Sequence, residues 1–190
     1  LAAAGYLALA PDLYSAGGAL RCLRSTFGAL TSGQGAAYGD IEAARIALAG
    51  RPDCTGKVGV LGFCLGGGFA LMTAAKGFDA AAPNYGPLPR ESAQVLRGAC
   101  PVVASYGRRD LGMRGAAAAL ESALTDAGVT HDVVEYADAG HSFMNHHNAG
   151  PLTVLEKVVG TARENIREGE GIAPALKRSG EFPSLVTHMI

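Results

Sequence analysis

KVGVLGFCLGGGFALMTAAK, residues 57–76, passes from a β-branched apolar run into glycines and then into a segment rich in alanine and leucine. The apolar run bounded by glycine reads as a buried strand, and the glycines followed by Phe, Ala, Leu and Met read as a turn that opens a helix. A thiol, Cys64, stands on that turn. The pattern Gly62-Phe63-Cys64-Leu65-Gly66 is a nucleophile elbow with sulfur in place of oxygen. Small residues two before and two after the nucleophile let the backbone turn sharply and expose the side chain at a helix N-terminus. Helix-end amides and a neighbouring imidazolium favour a thiolate at such a place. In open α/β sheets the strand-to-helix turns also face the crevice where ligands bind.

Outward from the elbow, strand and helix patterns alternate. Residues 6–10 (YLALA) predict a short strand ended by Pro11, and residues 15–35 a long glycine-rich loop with a little helix. DIEAARIALA (40–49) has helical spacing, with Gly50 at its end. FDAAAPNYG and PVVASYG predict further strands, residues 114–127 a helix stopped by Gly128, and HDVVEYA a last strand. Elements alternating every 20 to 30 residues imply a mostly parallel sheet with helices on both faces. Residues 1–160 then form one α/β domain, and residues 161–190 an atypical tail of mixed charge, glycine and proline, expected to be poorly ordered after Glu168. The first residues resemble the end of a helix entering a core strand, which predicts further chain upstream.

The 190 residues are enough for one domain that needs no staples. Sixteen Lys and Arg against 17 acidic residues leave a net charge of −1, so there is no basic field for nucleic acid, and a small-molecule partner is expected. The apolar opening is too short for a membrane span. Cys22, Cys54, Cys64 and Cys100 form neither a CxxC pair nor a disulfide framework, which fits a reducing, cytoplasmic compartment. A lone cysteine is ordinarily a small buried hydrophobe, and Cys22, Cys54 and Cys100 are read so.

Gly62, Gly66 and Gly68 also spell a G-x-x-x-G-x-G turn of the kind that short-chain dehydrogenases place against a pyrophosphate. Those enzymes need Y-x-x-x-K, and none of the six tyrosines has a lysine four residues on. The elbow is therefore the preferred reading, with a nucleotide-binding oxidoreductase as a lesser one. A cysteine nucleophile needs a base, and the order nucleophile, acid, histidine is met here. Asp110 follows the strand PVVASYG, and His141 follows HDVVEYA. Singly, Asp110 could be a helix cap and His141 a surface histidine beside His146 and His147. Asp138 competes for the role of acid. Three fitting residue types at successive strand ends favour a Cys64, Asp110, His141 triad. His146, His147 and Asn148 lack the spacing of a metal site.

With GFCLGG, SYGRRD and YADAGHSFMN in view, the chain resembles the dienelactone hydrolase family, the carboxymethylenebutenolidase-like α/β-hydrolases. The resemblance extends to AAAGYLALAPDLYS and GDIEAARIAL, covering about residues 1–160. It implies an α/β-hydrolase fold with Cys64 as nucleophile, His141 as base and Asp110 as orienting acid. It also implies hydrolysis of an enol lactone or activated ester through an acyl-thiol, without metal or cofactor. Leu65 N–H is the oxyanion donor that can be named. Arg21 and Arg24 stand where the family keeps arginines for a substrate carboxylate, although loop arginines are ordinarily solvated. With Tyr85 they are the candidate substrate-binding residues. Family members carry upstream strands, a loop giving a second oxyanion amide and, in the type enzyme, a glutamate gating the thiolate. None has a counterpart in these motifs, which predicts that the N-terminal strands are missing. A weak or inactive fragment, or a binding protein keeping the fold, is therefore the alternative function.

Overall fold

The strand KVGVLGF pairs at its apolar centre, giving β1 (Gly59–Phe63). The remaining elements follow from the same alternation in a computed structural model, which describes residues 1, 4–13, 26 and 28–144. They are α1 (Ala36–Ala49) before β1, then α2 (Leu65–Thr73), β2 (Ala80–Asn84), the one-turn α3 (Ser92–Val95), β3 (Val102–Gly107), a 3-10 turn (Leu111–Met113), α4 (Ala116–Asp126) and β4 (His131–Tyr136). The four strands lie in the order β1-β2-β3-β4, each parallel to its neighbours. Parallel neighbours need crossovers, and α2 and α4 supply two of them.

Register explains where the core sits. Ala81 stands beside Val102, so Ala81, Val102, Ala104 and Tyr106 share a layer with Leu71 of α2 and with Leu120 and Leu124 of α4. Truncating one such fully buried leucine costs about 2–5 kcal/mol. β3 is buried along its whole length, both faces included, as an inner parallel strand requires. α1 packs instead on α2, where the Tyr38 ring meets the Phe69 ring edge-on at 5.2 Å.

The structure departs from expectation at residues 6–10, which form no strand and leave Tyr6, Leu7 and Leu9 exposed. Apolar content is not enough for a strand, because its N–H and C=O groups also need a ladder partner. β1 pairs only with β2 among the described residues, and it exposes alternate side chains, Leu61 and Phe63. The tail from residue 161, Cys22, Arg21, Arg24, His146, His147 and Asn148 lie outside the described residues. No helix among the described residues is long and apolar enough to cross a membrane.

Candidate active site

β1 ends at Phe63, α2 begins at Leu65, and the single residue between them is Cys64 at φ 54° and ψ −122°. A side chain rarely occupies positive φ, and such strain is held only where the surroundings over-determine it. The constraints are visible. Cys64 N–H donates to Asn84 O at 3.0 Å, and Cys64 O accepts from Gly67 N–H (2.9 Å) and Gly68 N–H (3.3 Å). A Cβ on Gly62 would collide with the Gly66 carbonyl, so glycine is required there. At Gly66 a Cβ would meet open space. The second required glycine is Gly67, whose Cβ would come within 2.8 Å of Asn84 O.

The acid and the histidine come from the next two strand ends. Asp110 is 4% exposed, with Oδ1 accepting from Gly112 N–H at 3.0 Å. Its Oδ2 lies 2.5 Å from His141 Nδ1, and His141 Nε2 lies 3.3 Å from Cys64 Sγ. With Nδ1–H donating to the carboxylate, Nε2 presents its lone pair to the thiol. The competing acid, Asp138, is 75% exposed and paired with Arg109 at 2.5 Å. The two loops are tied together. Arg109 N–H donates to Ala139 O and Arg108 N–H to Tyr136 O, both at 2.9 Å, and Arg108 reaches Glu135 at 3.0 Å. Gly107 lets the loops approach, since a Cβ there would sit 2.5 Å from Ala139 O.

Leu65 is the first residue of α2, directly after Cys64, so its N–H belongs to the first turn and has no acceptor within the helix. Tyr85 is placed beneath the site rather than on its surface: it is fully buried and meets the His141 ring edge-on. The sequence points to Tyr85 as a substrate-binding candidate, and its ring packs against the imidazole from below. Asn84 was not singled out from the sequence, yet its Nδ2 donates to Gly62 O (3.2 Å) and Ala82 O (3.1 Å) and its carbonyl holds Cys64. The available signal was a polar residue ending a parallel strand at the crevice. Among the described residues, no group of three His, Cys, Asp or Glu is arranged to hold a metal ion.

A parallel sheet with an acid and a histidine on successive strand ends, facing a side chain on a strained elbow, defines an α/β-hydrolase fold. Two solved structures share it. One, from Klebsiella pneumoniae subsp. pneumoniae MGH 78578 and assigned to the dienelactone hydrolases, has a TM-score of 0.59 at 20% identity, over 78% of this chain and 72% of its own. The other, the α/β-hydrolase MGS-M1 from a Medee basin deep-sea metagenome library, has a TM-score of 0.52 at 14% identity, over 74% and 64%. The profile of the dienelactone hydrolase family matches residues 1–166, and the chain belongs to that family. Carboxymethylenebutenolidase from Pseudomonas putida is 34% identical over 117 residues, which are 60% of this chain and 50% of that protein. Carboxymethylenebutenolidase from Rhodococcus opacus is 35% identical over 99 residues, 45% of this chain and 38% of that protein. The chain thus spans about half the length, or less, of these curated relatives.

Proposed function

We propose that the chain hydrolyses enol lactones or small activated esters through a Cys64, His141, Asp110 triad, in a reducing compartment. The observation that carries this reading is the unbroken contact from Asp110 Oδ2 through both His141 nitrogens to Cys64 Sγ. Family membership and the resemblance to carboxymethylenebutenolidases support the choice of substrate class.

In the first half-reaction the Cys64 proton passes to His141 Nε2, and the sulfur attacks the carbonyl carbon. The electron pair moves onto the carbonyl oxygen, which the Leu65 N–H receives. Collapse breaks the carbonyl–oxygen bond to the leaving group, leaving a thioester on Cys64. The leaving enolate oxygen takes the proton from His141, which returns the imidazole to its neutral form. In the second half, His141 accepts a proton from water as the water adds to the thioester, and then returns it to sulfur as the acid product leaves. Asp110 keeps the imidazole in the tautomer and orientation that both halves need.

A second reading, a catalytically weak or non-catalytic protein that keeps the fold, has its own observation: Leu65 N–H is the one oxyanion donor that can be named. Losing a donor typically lowers kcat about 10²–10³-fold. Incubation with p-nitrophenyl acetate followed by peptide mass spectrometry separates the readings. Acetyl on Cys64 with turnover supports hydrolysis, acetyl on Cys64 that persists supports the weak form, and no acetyl on Cys64 overturns the triad. A dinucleotide site has no supporting observation, because the glycine turn carries a side chain directed at His141.

A further inference from the structure

We propose that Tyr85 is a positioning residue that wedges the nucleophile elbow against the histidine loop and fixes the His141 ring between Cys64 and Asp110. The inference rests on the Cys64–His141 reading above. The non-glycine residues at positive φ among those described are Cys64 (54°), Tyr85 (39°) and Ser142 (60°), so all the strained side-chain-bearing backbone gathers at this site. Tyr85 touches the flanks of the other two. Its ring lies 6.1 Å from that of Phe63, which precedes Cys64, and 5.3 Å and 5.4 Å from those of His141 and Phe143, which flank Ser142. The last two contacts are edge-on, the arrangement aromatic quadrupoles favour.

The backbone gives this ring little freedom. Tyr85 N–H donates to Ser105 O at 2.8 Å, the preceding carbonyl holds Cys64, and the following residue, Gly86, packs against the first turn of α2. Gly86 O in turn accepts from the Tyr106 hydroxyl at 2.9 Å. A pinned, left-handed backbone therefore aims the ring at the imidazole. Tyr85 is fully buried, and its own hydroxyl has no hydrogen-bond partner among the described residues. Burying an unpartnered hydroxyl is unfavourable, and strain at positive φ adds to the cost. Fold stability alone would be better served by a residue without positive φ, whereas a flat ring wedged between the two loops accounts for the strained backbone. Burial, followed by the Cys64 charge, raises the Tyr85 phenol above its ordinary range, so the ring meets the imidazole as a neutral partner.

The ring, not the hydroxyl, carries the effect. Iodoacetamide alkylation of Cys64 tests this at about pH 6.5 and again at about pH 9.5, where an unassisted thiol ionises without a base. Tyr85→Leu and Tyr85→Gly are expected to slow alkylation about tenfold at the lower pH and to match wild type at the higher one. Tyr85→Phe is expected to restore the wild-type profile. Leu and Gly variants with wild-type rates at both pH values, or a Phe variant as slow as Leu, would overturn the proposal. His141→Ala is run alongside. If it keeps the wild-type profile, the Cys64–His141 reading itself fails; if it is slow while the Tyr85 variants are not, only the positioning inference fails. Thermal melts establish which variants fold, and a proton spectrum of the wild-type chain reads the contact without any variant. His141 ring protons are expected to be displaced by the phenol ring current and to stay displaced in Tyr85→Phe; random-coil positions would overturn the wedge.

Discussion

At the scale of single residues, environment separates the cysteines. Cys64 caps α2 and meets an imidazole, whereas burial pushes the Cys100 thiol up to about 11. Cys64 is therefore expected to be alkylated well before Cys54, Cys100 and Cys22, with Cys100 the slowest of the described three at neutral pH. Site-resolved mass spectrometry against time checks the order, and uniform labelling of the folded chain would refute it. The two candidate acids are separable in the same way. Asp110→Asn is expected to lower ester hydrolysis by about 10²–10⁴-fold, because the amide cannot hold the imidazole in the required tautomer. Asp138→Asn, which frees only the exposed Arg109, is expected to stay within about twofold of wild type. Initial rates on one ester decide this, and equal losses would dissolve the assignment of Asp110.

At the scale of elements, the two elbow glycines are not equivalent. The motif treats Gly62 and Gly66 alike, but only a side chain at Gly62 strikes backbone. Gly62→Ala is expected to abolish the reactive thiol or the fold. Gly66→Ala is expected to retain both and to gain up to about 1 kcal/mol, the helix preference of alanine over glycine. Denaturant midpoints and Cys64 labelling of the two variants measure this. The order of the sheet elements was legible because glycine and β-branched residues punctuate it. So was the convergence of Cys64, Asp110 and His141, because all three fall at carboxyl ends of strands. The contacts that Gly67, Asn84 and Tyr85 make were not, because each depends on what β2 brings against its neighbours, and chain spacing does not encode that contact. Residues 6–10 failed as a strand for a related reason: alternation and apolarity specify a face, while pairing is supplied from elsewhere.

At the scale of the molecule, the starts of β1 and β2 are held by Asp79. Its carboxylate accepts from Lys57 Nζ at 2.8 Å and from Val58 N–H at 2.9 Å. The Lys57 contact first, and the Val58 N–H next, hold its carboxyl below the usual range. A depressed acid stabilises the fold fully above the ordinary carboxylate range and loses that contribution as pH falls through its folded value. Asp79→Asn is thus expected to lower Tm by roughly 2–4 °C at neutral pH, with the difference closing in acid. Melts across pH compare the two chains, and a gap that widens toward low pH would contradict the linkage.

The contact between Cys64 and His141 spans 77 residues, whereas that between His141 and Asp110 spans 31. Closing the longer loop costs about 0.6–1 kcal/mol more in chain entropy, and it needs three strand pairings in register rather than one. During refolding the acid and base can therefore meet within the β3–β4 unit while the thiol is still unattached. A poised thiol is then the last local sign of a completed sheet. Pulsed alkylation during refolding would use Cys64 as a clock for the whole topology, one that runs only after the β2–β3 seam has closed.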